Sequence, residues 1–285
     1  MAGFQGKWTD LPKGTVAVLG VPLDENSSFL RGPALAPALI RKALNSESAN
    51  MSTELGVDLE TSGGWAEIGD LSLSTGHDAM DQIEAAVAEL VGSGMKVLSL
   101  GGDHSVSYPI IRAHAKAYKS LNVLHLDAHP DTYNEFGGSK FSHACPFARI
   151  MEEGLGVRLV QIGIRTLNPH QREQAIRFGL TAVEMKDWPP AKMPELSAPL
   201  YVSLDMDVFD PAFAPAVSHH EPGGLSAREV FRILHGLPAP IVGADIVELN
   251  PTRDQNGVTA MLAGKLCKEL IGLMLASPGS ALQKR

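Results

Sequence analysis

Residues 121–133 read LNVLHLDAHPDTY, setting Asp127, His129 and Asp131 at every second position after a short apolar run. Three other runs end in the same kind of residue. KVLSL (96–100) leads into GGDHS with His104, PLYVSL (199–204) into DMDVFDP with Asp205 and Asp207, and PIVGADIV (240–247) into ELNP with Glu248. Carboxylate oxygens and imidazole nitrogens without thiolates suit a fairly hard divalent cation such as Mn2+. The four aspartates are neutralised by a pair of dications, whereas a single one leaves carboxylates repelling one another. Taken alone, an Asp-X-Asp is an ordinary turn or helix cap, and His104 an ordinary strand-end histidine. Six such donors behind separate apolar runs favour a binuclear metal site.

Those donors need a scaffold that gathers strand ends. The apolar runs at 15–23, 96–100, 122–126, 158–164, 180–185, 199–204 and 240–247 predict strands. Helical spacing predicts helices over 33–45, 78–94, 106–118, 142–153, 169–178, 226–236 and 257–276. Strands without clean alternation, separated by helices, indicate an α/β fold whose mostly parallel sheet is buried on both faces. Such sheets bind ligands in the crevice beyond the carboxyl ends of their strands. The proline-bearing stretch 186–198 is a connection rather than a linker, so one domain is expected over 1–285.

The formal charge of −8, with no block of lysines or arginines, disfavours nucleic acid or an anionic membrane and suits a cationic ligand. No apolar stretch approaches the ~20 residues that span a bilayer. Cys145 and Cys267 lie far apart, without metal or redox spacing, which points to a reducing compartment. The N-terminal MAGFQGKWTDLPKG lacks the charged-then-apolar order of a signal peptide. The expectation is a cytoplasmic enzyme.

GGDHS, DAHPDTY, SLDMDVFDPAFAP, EPGGLS and DIVELNP resemble the ureohydrolases, the arginase and agmatinase family, from about Val18 to Leu275. The plant-type arginase branch is the nearest likeness, through VPLDENSSFLRGPALAP, SKFSHACPFARIMEEG, RTLNPHQREQ and DPAFAPAVSHHEPGGLS. The resemblance implies a three-layer α/β/α domain, homo-oligomers (trimers or hexamers) and two Mn2+ ions, with Ni2+ or Co2+ as other candidates. By motif, one ion would take His104, Asp127, Asp131 and Asp205, and the other Asp127, His129, Asp205 and Asp207. Asp127 and Asp205 would bridge them. The implied reaction turns a guanidino compound into urea and an amine, L-arginine into L-ornithine foremost. Agmatine, 4-guanidinobutyrate and smaller guanidines are alternatives. The competing readings are a catalytically silent subunit and a metal-dependent deacylase of the same broad fold.

Two cations sharing one water lower its pKa from about 15.7 toward ~7, which makes it a nucleophile for the guanidinium carbon. Asp131 belongs to this catalytic set. Glu248 is expected to hold the guanidinium, because a carboxylate accepts two parallel N–H bonds from that planar fork. Strand alternation puts Ala244, Ile246 and Glu248 on one side, so Glu248 must sit at a strand end to leave the core. His143, in FSHACPFAR, resembles the family's proton-shuttling histidine, suited by an imidazole pKa near ~6.5. A covalent role for Cys145 is set aside, since it would leave six metal-type donors without a task. Ser226 and Glu229 form a predicted capping box, Asp210 is a turn residue, and His219 and His220 are read as exposed loop histidines. Asn168 stands near where animal-type arginases place a carboxylate for the substrate's ammonium. Tyr133 displaces Asn134 by one from an asparagine of that pattern. Asn168, Asn134 and the loop residues Asn26, Ser27 and Ser28 are the candidates for binding the substrate tail.

Overall fold

Among the described residues, eight strands lie side by side in one sheet, every neighbouring pair parallel. In chain order they are β1 (Val16–Gly20), β2 (Trp65–Asp70), β3 (Lys96–Leu100), β4 (Asn122–Leu126), β5 (Arg158–Ile164), β6 (Thr181–Glu184), β7 (Leu200–Asp205) and β8 (Ile241–Val247). Their order in space is β2-β1-β3-β8-β7-β4-β5-β6. The four strands that lead into acids and imidazoles are therefore contiguous, β3-β8-β7-β4, in the middle of the sheet. The computed structural model describes residues 8–238 and 240–276.

Among the described residues, seven α-helices flank the sheet: α1 (Ala36–Leu44), α2 (His77–Gly92), α3 (Ser107–Ala117), α4 (Pro146–Glu152), α5 (Pro169–Phe178), α6 (Ala227–His235) and α7 (Val258–Leu275). Alternate residues of each central strand face opposite helix layers. Val18, Leu98, Leu124 and Val202 pack with residues of α1, α6 and α7. Ala17, Leu19, Val97, Val123 and Tyr201 pack with residues of α2, α3 and α4. Burial on both faces is why these strands are apolar without alternation. Each fully buried Val or Leu stabilises the fold by roughly 1.5–3 kcal/mol, so the central strand ends are firmly held.

The sheet is wholly parallel, where the sequence predicted mostly parallel. Strand β2 was not predicted. WAEIGD mixes an acid, a glycine and an aspartate into an edge strand that is only half-buried, so it carries no apolar run. The predicted strand 15–23 ends at Gly20. The predicted helix 142–153 begins only at Pro146, which occupies its first turn. Residues 142–145, His143 among them, belong to the loop before it. Both cysteines are free and buried, and no described helix is long and apolar enough to cross a membrane. Residues 1–7 of the N-terminal segment inspected for a targeting pattern lie outside the described residues.

Candidate active site

The segments that leave β3, β4, β7 and β8 meet beyond the sheet's C-terminal edge. The β3 exit depends on Gly102, because a Cβ there would sit 1.7 Å from the Leu23 carbonyl oxygen. His104 follows in a short 3-10 turn capped by Asp103, whose carboxylate accepts from the Ser105 amide at 3.0 Å. Its other oxygen accepts from the Asn26 amide at 3.0 Å. At the ends of β4 and β7, backbone amides fix the aspartates. Asp205 accepts from the Asp207 amide (2.7 Å), Asp207 from the Ala128 amide (3.0 Å) and Asp127 from the His129 amide (2.6 Å). Asp205 and Asp207 each keep their second oxygen for the space between the strands. Asp131 reaches that space through a left-handed backbone (φ 49°), a conformation uncommon outside glycine.

Six side chains converge there. His104 Nδ1 lies 3.0, 3.1 and 3.2 Å from carboxylate oxygens of Asp127, Asp131 and Asp205. His129 Nδ1 lies 2.9 Å from Asp207 and 3.4 Å from Asp127. The Asp127 carboxylate thus stands between the two imidazoles. All four aspartates are buried. Buried and surrounded by three carboxylates, His104 Nδ1 nevertheless makes no hydrogen bond. Acceptors and a ring nitrogen converging on one point are the donor set of a divalent cation, and Asp127, His129 and Asp207 offer a second such group.

The electrostatics agree. Burial, then the neighbouring carboxylates, push Asp205 well above its ordinary range and Asp207 up to about 6. Burial opposes protonation of His104 and His129, but the facing aspartates raise both well above the usual imidazole range. Burial also works against the charged form of Asp127, and the imidazoles around it hold it well below the carboxylate range. So dense a set of buried charges calls for cations.

Outer partners aim these groups, as around metal-ligating histidines generally. His104 Nε2 donates to the Ser203 hydroxyl (3.0 Å), which donates to buried Asp245 (2.8 Å). Tyr201 donates to the other Asp245 oxygen at 2.7 Å. That turns Nδ1 toward the three carboxylates, where it would be the nitrogen offered to a cation. His125 was missed at the sequence level. Gln161 donates to the Pro130 carbonyl (2.7 Å), which can only accept, and so presents its second N–H to His125 Nδ1 at 2.9 Å. His125 therefore donates from Nε2 to Asp127 at 2.7 Å. Burial holds its pKa low, and with both nitrogens engaged it is a partner of Asp127 rather than a metal ligand. The available signal was its place two residues before Asp127, in phase with 127, 129 and 131.

Glu248 follows β8 with a left-handed backbone, φ 63°, rare for a long side chain. That turn brings its carboxylate to the cavity. One oxygen accepts from the His104 amide (2.9 Å) and from His143 Nδ1 (2.8 Å), while Oε2 is buried without a partner. Burial disfavours both charges, yet the pairing raises His143 to about 9 and lowers Glu248. His143 Nε2 lies 2.8 Å from the Ser28 hydroxyl. Its backbone amide donates to the Asn26 carbonyl. A cavity of about 180 Å3 opens over the cluster, reaching Asp131, Asp205, Asp207, His143 and Glu248.

Three tail candidates are engaged elsewhere. Asn168 caps α5 in a capping box with Gln171 and donates to the Tyr133 hydroxyl. Asn134 accepts from Gln174 at 2.6 Å. Asn26 donates its side-chain amide to Ser105 at 3.0 Å. None of the three lines the cavity, whereas Ser28 and Tyr133 do. His219, expected to be exposed, is half-buried in the cavity wall, its ring 5.1 Å from that of His143. His220 is exposed as expected. Ser226 and Glu229 form the predicted capping box, and Asp210 accepts backbone amides of its turn. Burial pushes the Cys145 thiol up to about 12, which leaves no thiolate for covalent chemistry.

An acid-and-imidazole cluster at the ends of β3, β4 and β7, with the Glu248–His143 pair at the end of β8 beside it, defines a binuclear metallohydrolase type of site. The profile of the Arginase family matches residues 14–272. "Arginase 1, mitochondrial" of Arabidopsis thaliana is 48% identical over 275 residues, spanning 90% of this chain and 80% of the relative. "Arginase 2, chloroplastic/mitochondrial" of the same plant is 44% identical over 279 residues, spanning 92% and 81%. Among solved structures, an arginase from Medicago truncatula superposes with a TM-score of 0.85 at 41% identity, covering 91% of this chain and 87% of that one. The chain belongs to the arginase family.

These relatives overturn the cytoplasmic expectation, since their names place them in mitochondria or chloroplasts. Two free cysteines are as compatible with an organelle interior as with the cytosol.

Proposed function

We propose that the protein is a metal-dependent amidinohydrolase that hydrolyses L-arginine to L-ornithine and urea. One observation carries the reading: the buried, unpartnered Oε2 of Glu248 lies in the same small cavity as the aspartate–histidine cluster. An ionised carboxylate with an open acceptor matches a guanidinium N–H. The extent of similarity to plant arginases supports arginine as the substrate.

The donors fit two divalent cations, with His104, Asp127, Asp131 and Asp205 holding one and Asp127, His129, Asp205 and Asp207 the other. Manganese is the proposed metal, on the oxygen-and-imidazole character of the donors. When bound, the pair supplies Lewis-acid activation of water. Glu248 then orients the guanidinium through Oε2. His143 is kept cationic by Glu248, so it holds a proton at Nδ1 or Nε2 for delivery to the departing amine. Ser28 steadies the ring at Nε2.

The test is urea release by Mn2+-loaded protein from L-arginine, agmatine and 4-guanidinobutyrate in parallel. Arginine should give the highest kcat/KM. A protein that releases urea from none of the three is not an amidinohydrolase of this kind. One that prefers agmatine retains the chemistry and loses the assigned substrate.

A further inference from the structure

The cavity holds one carboxylate that the chemistry described so far does not use. Its acidic lining consists of Asp131, Asp205, Asp207, Glu221 and Glu248. Three belong to the donor cluster and Glu248 faces the guanidinium. The Glu221 side chain accepts no hydrogen bond among the described residues and is 40% exposed at the mouth. Among the described residues its one ion-pair contact is with His129, whose Nε2 lies 3.9 Å away, too far for a hydrogen bond. His129 Nδ1 faces Asp207 in the cluster, so Glu221 stands on the outward side of that ring.

Glu221 is also fixed in place. Arg165 donates twice to the Glu221 carbonyl, at 2.8 and 2.6 Å, and from the same guanidinium to the Asp207 carbonyl at 2.6 Å. Asp210 accepts from the Gly223 amide at 2.7 Å and the Gly224 amide at 3.3 Å. A Cβ on Gly224 would sit 2.6 Å from the Asp210 nitrogen, so this position has no room for a side chain. On its other flank, Val217 bridges to Leu249, next to Glu248. The mouth loop is therefore laced to the loops that carry Asp207 and Glu248, and the spacing between the two glutamates is built in.

We propose that Glu221 is the subsite for the substrate's tail, taking a primary ammonium while Glu248 takes the guanidinium. The inference rests on the guanidine-hydrolase reading and names what that reading leaves open. It also answers the loss of the three asparagines: recognition of the cationic end falls to a carboxylate that does line the cavity. A molecule with a guanidinium at one end and an ammonium at the other meets one carboxylate at each. One that ends in a carboxylate alone meets like charge at Glu221.

The experiment compares Mn2+-loaded parent and Glu221→Gln proteins. The readouts are kcat and KM for L-arginine, competitive inhibition by agmatine and by 4-guanidinobutyrate, and bound manganese per chain. Losing one charge-assisted contact should raise the KM for arginine and the inhibition constant of agmatine about tenfold. The constant for 4-guanidinobutyrate should stay level or fall, with manganese unchanged. Glu221→Asp should recover part of the arginine affinity. Equal losses for all three ligands, or a fall in bound manganese, would assign Glu221 to His129 and overturn the proposal, as would unaltered constants. A parent that releases no urea from any guanidine overturns the hydrolase reading itself, whereas an active parent with unchanged selectivity in the variant overturns only the tail subsite.

Discussion

The strand-end cluster and the mouth of the cavity are built on different principles. The cluster and Glu248 grow out of four adjacent strands buried on both faces, and backbone amides anchor Asp127, Asp205 and Asp207 at 2.6–3.0 Å. The mouth is assembled from loops around residues 26–28, 133–136, 166–171 and 217–224, whose polar side chains mostly hold the loops together. The difference separates reaction from selectivity. Guanidine chemistry is fixed by the sheet, while the choice of guanidine rests on whichever loop side chains remain free once the caps and turns are satisfied.

The largest effect should come from the cluster. Asp205→Ala should empty at least one cation site and lower urea release more than about 100-fold, since even outer partners of metal sites cost about 10–100-fold. Two tightly bound ions in that variant would remove Asp205 from the donor set. His125→Phe keeps the ring stacked on Phe147 (centroids 3.9 Å) but deletes the bond to Asp127. Metal affinity should fall by about 10–100-fold, and isothermal titration with Mn2+ measures it. Unchanged affinity would show that Asp127 needs no such support.

Glu248→Gln should retain both ions and raise the KM for guanidines by about tenfold or more, because a charge-assisted pair becomes a neutral one. A parental KM would place the guanidinium elsewhere. The His143–Glu248 pair also has a pH signature. Raised to about 9, His143 contributes stability that is fully present below about 6.5, its ordinary value, and is lost as pH climbs through about 9. The melting temperature of parent minus His143→Asn should therefore shrink between pH 6.5 and 9.5; a constant difference would mean the pair is not ionic. The smallest effect belongs to the mouth. Asn168→Ala removes a helix cap, so about 1 kcal/mol of stability should go with the order of substrates unchanged. A changed order would return Asn168 to the substrate tail.

This division also governs how much could be read from sequence. Asp127, His129, Asp131, Asp205, Asp207 and His104 stand out because acids and imidazoles directly after apolar runs violate the pattern of a buried strand. The parallel sheet was legible for the same reason, from runs bounded by helical spacing. Strand β2 was not, because an edge strand may carry Glu67 and Asp70 without penalty. His125 was hidden inside an apolar run, where one imidazole looks like core. The asparagines misled in another way. Asn168 precedes Pro169 and stands three before Gln171, which is a capping signature as much as a binding one, and the helix took it. Glu221 opens the EPGGLS motif, and its turn is what aims it into the cavity.

Titrating metal-free protein with Mn2+, while following bound ions per chain and urea from arginine together, tests the central claim most directly. Two ions should bind per chain, with urea release absent in stripped protein and rising as the second site fills. A single bound ion at full activity, or urea from protein stripped of metal, would contradict it.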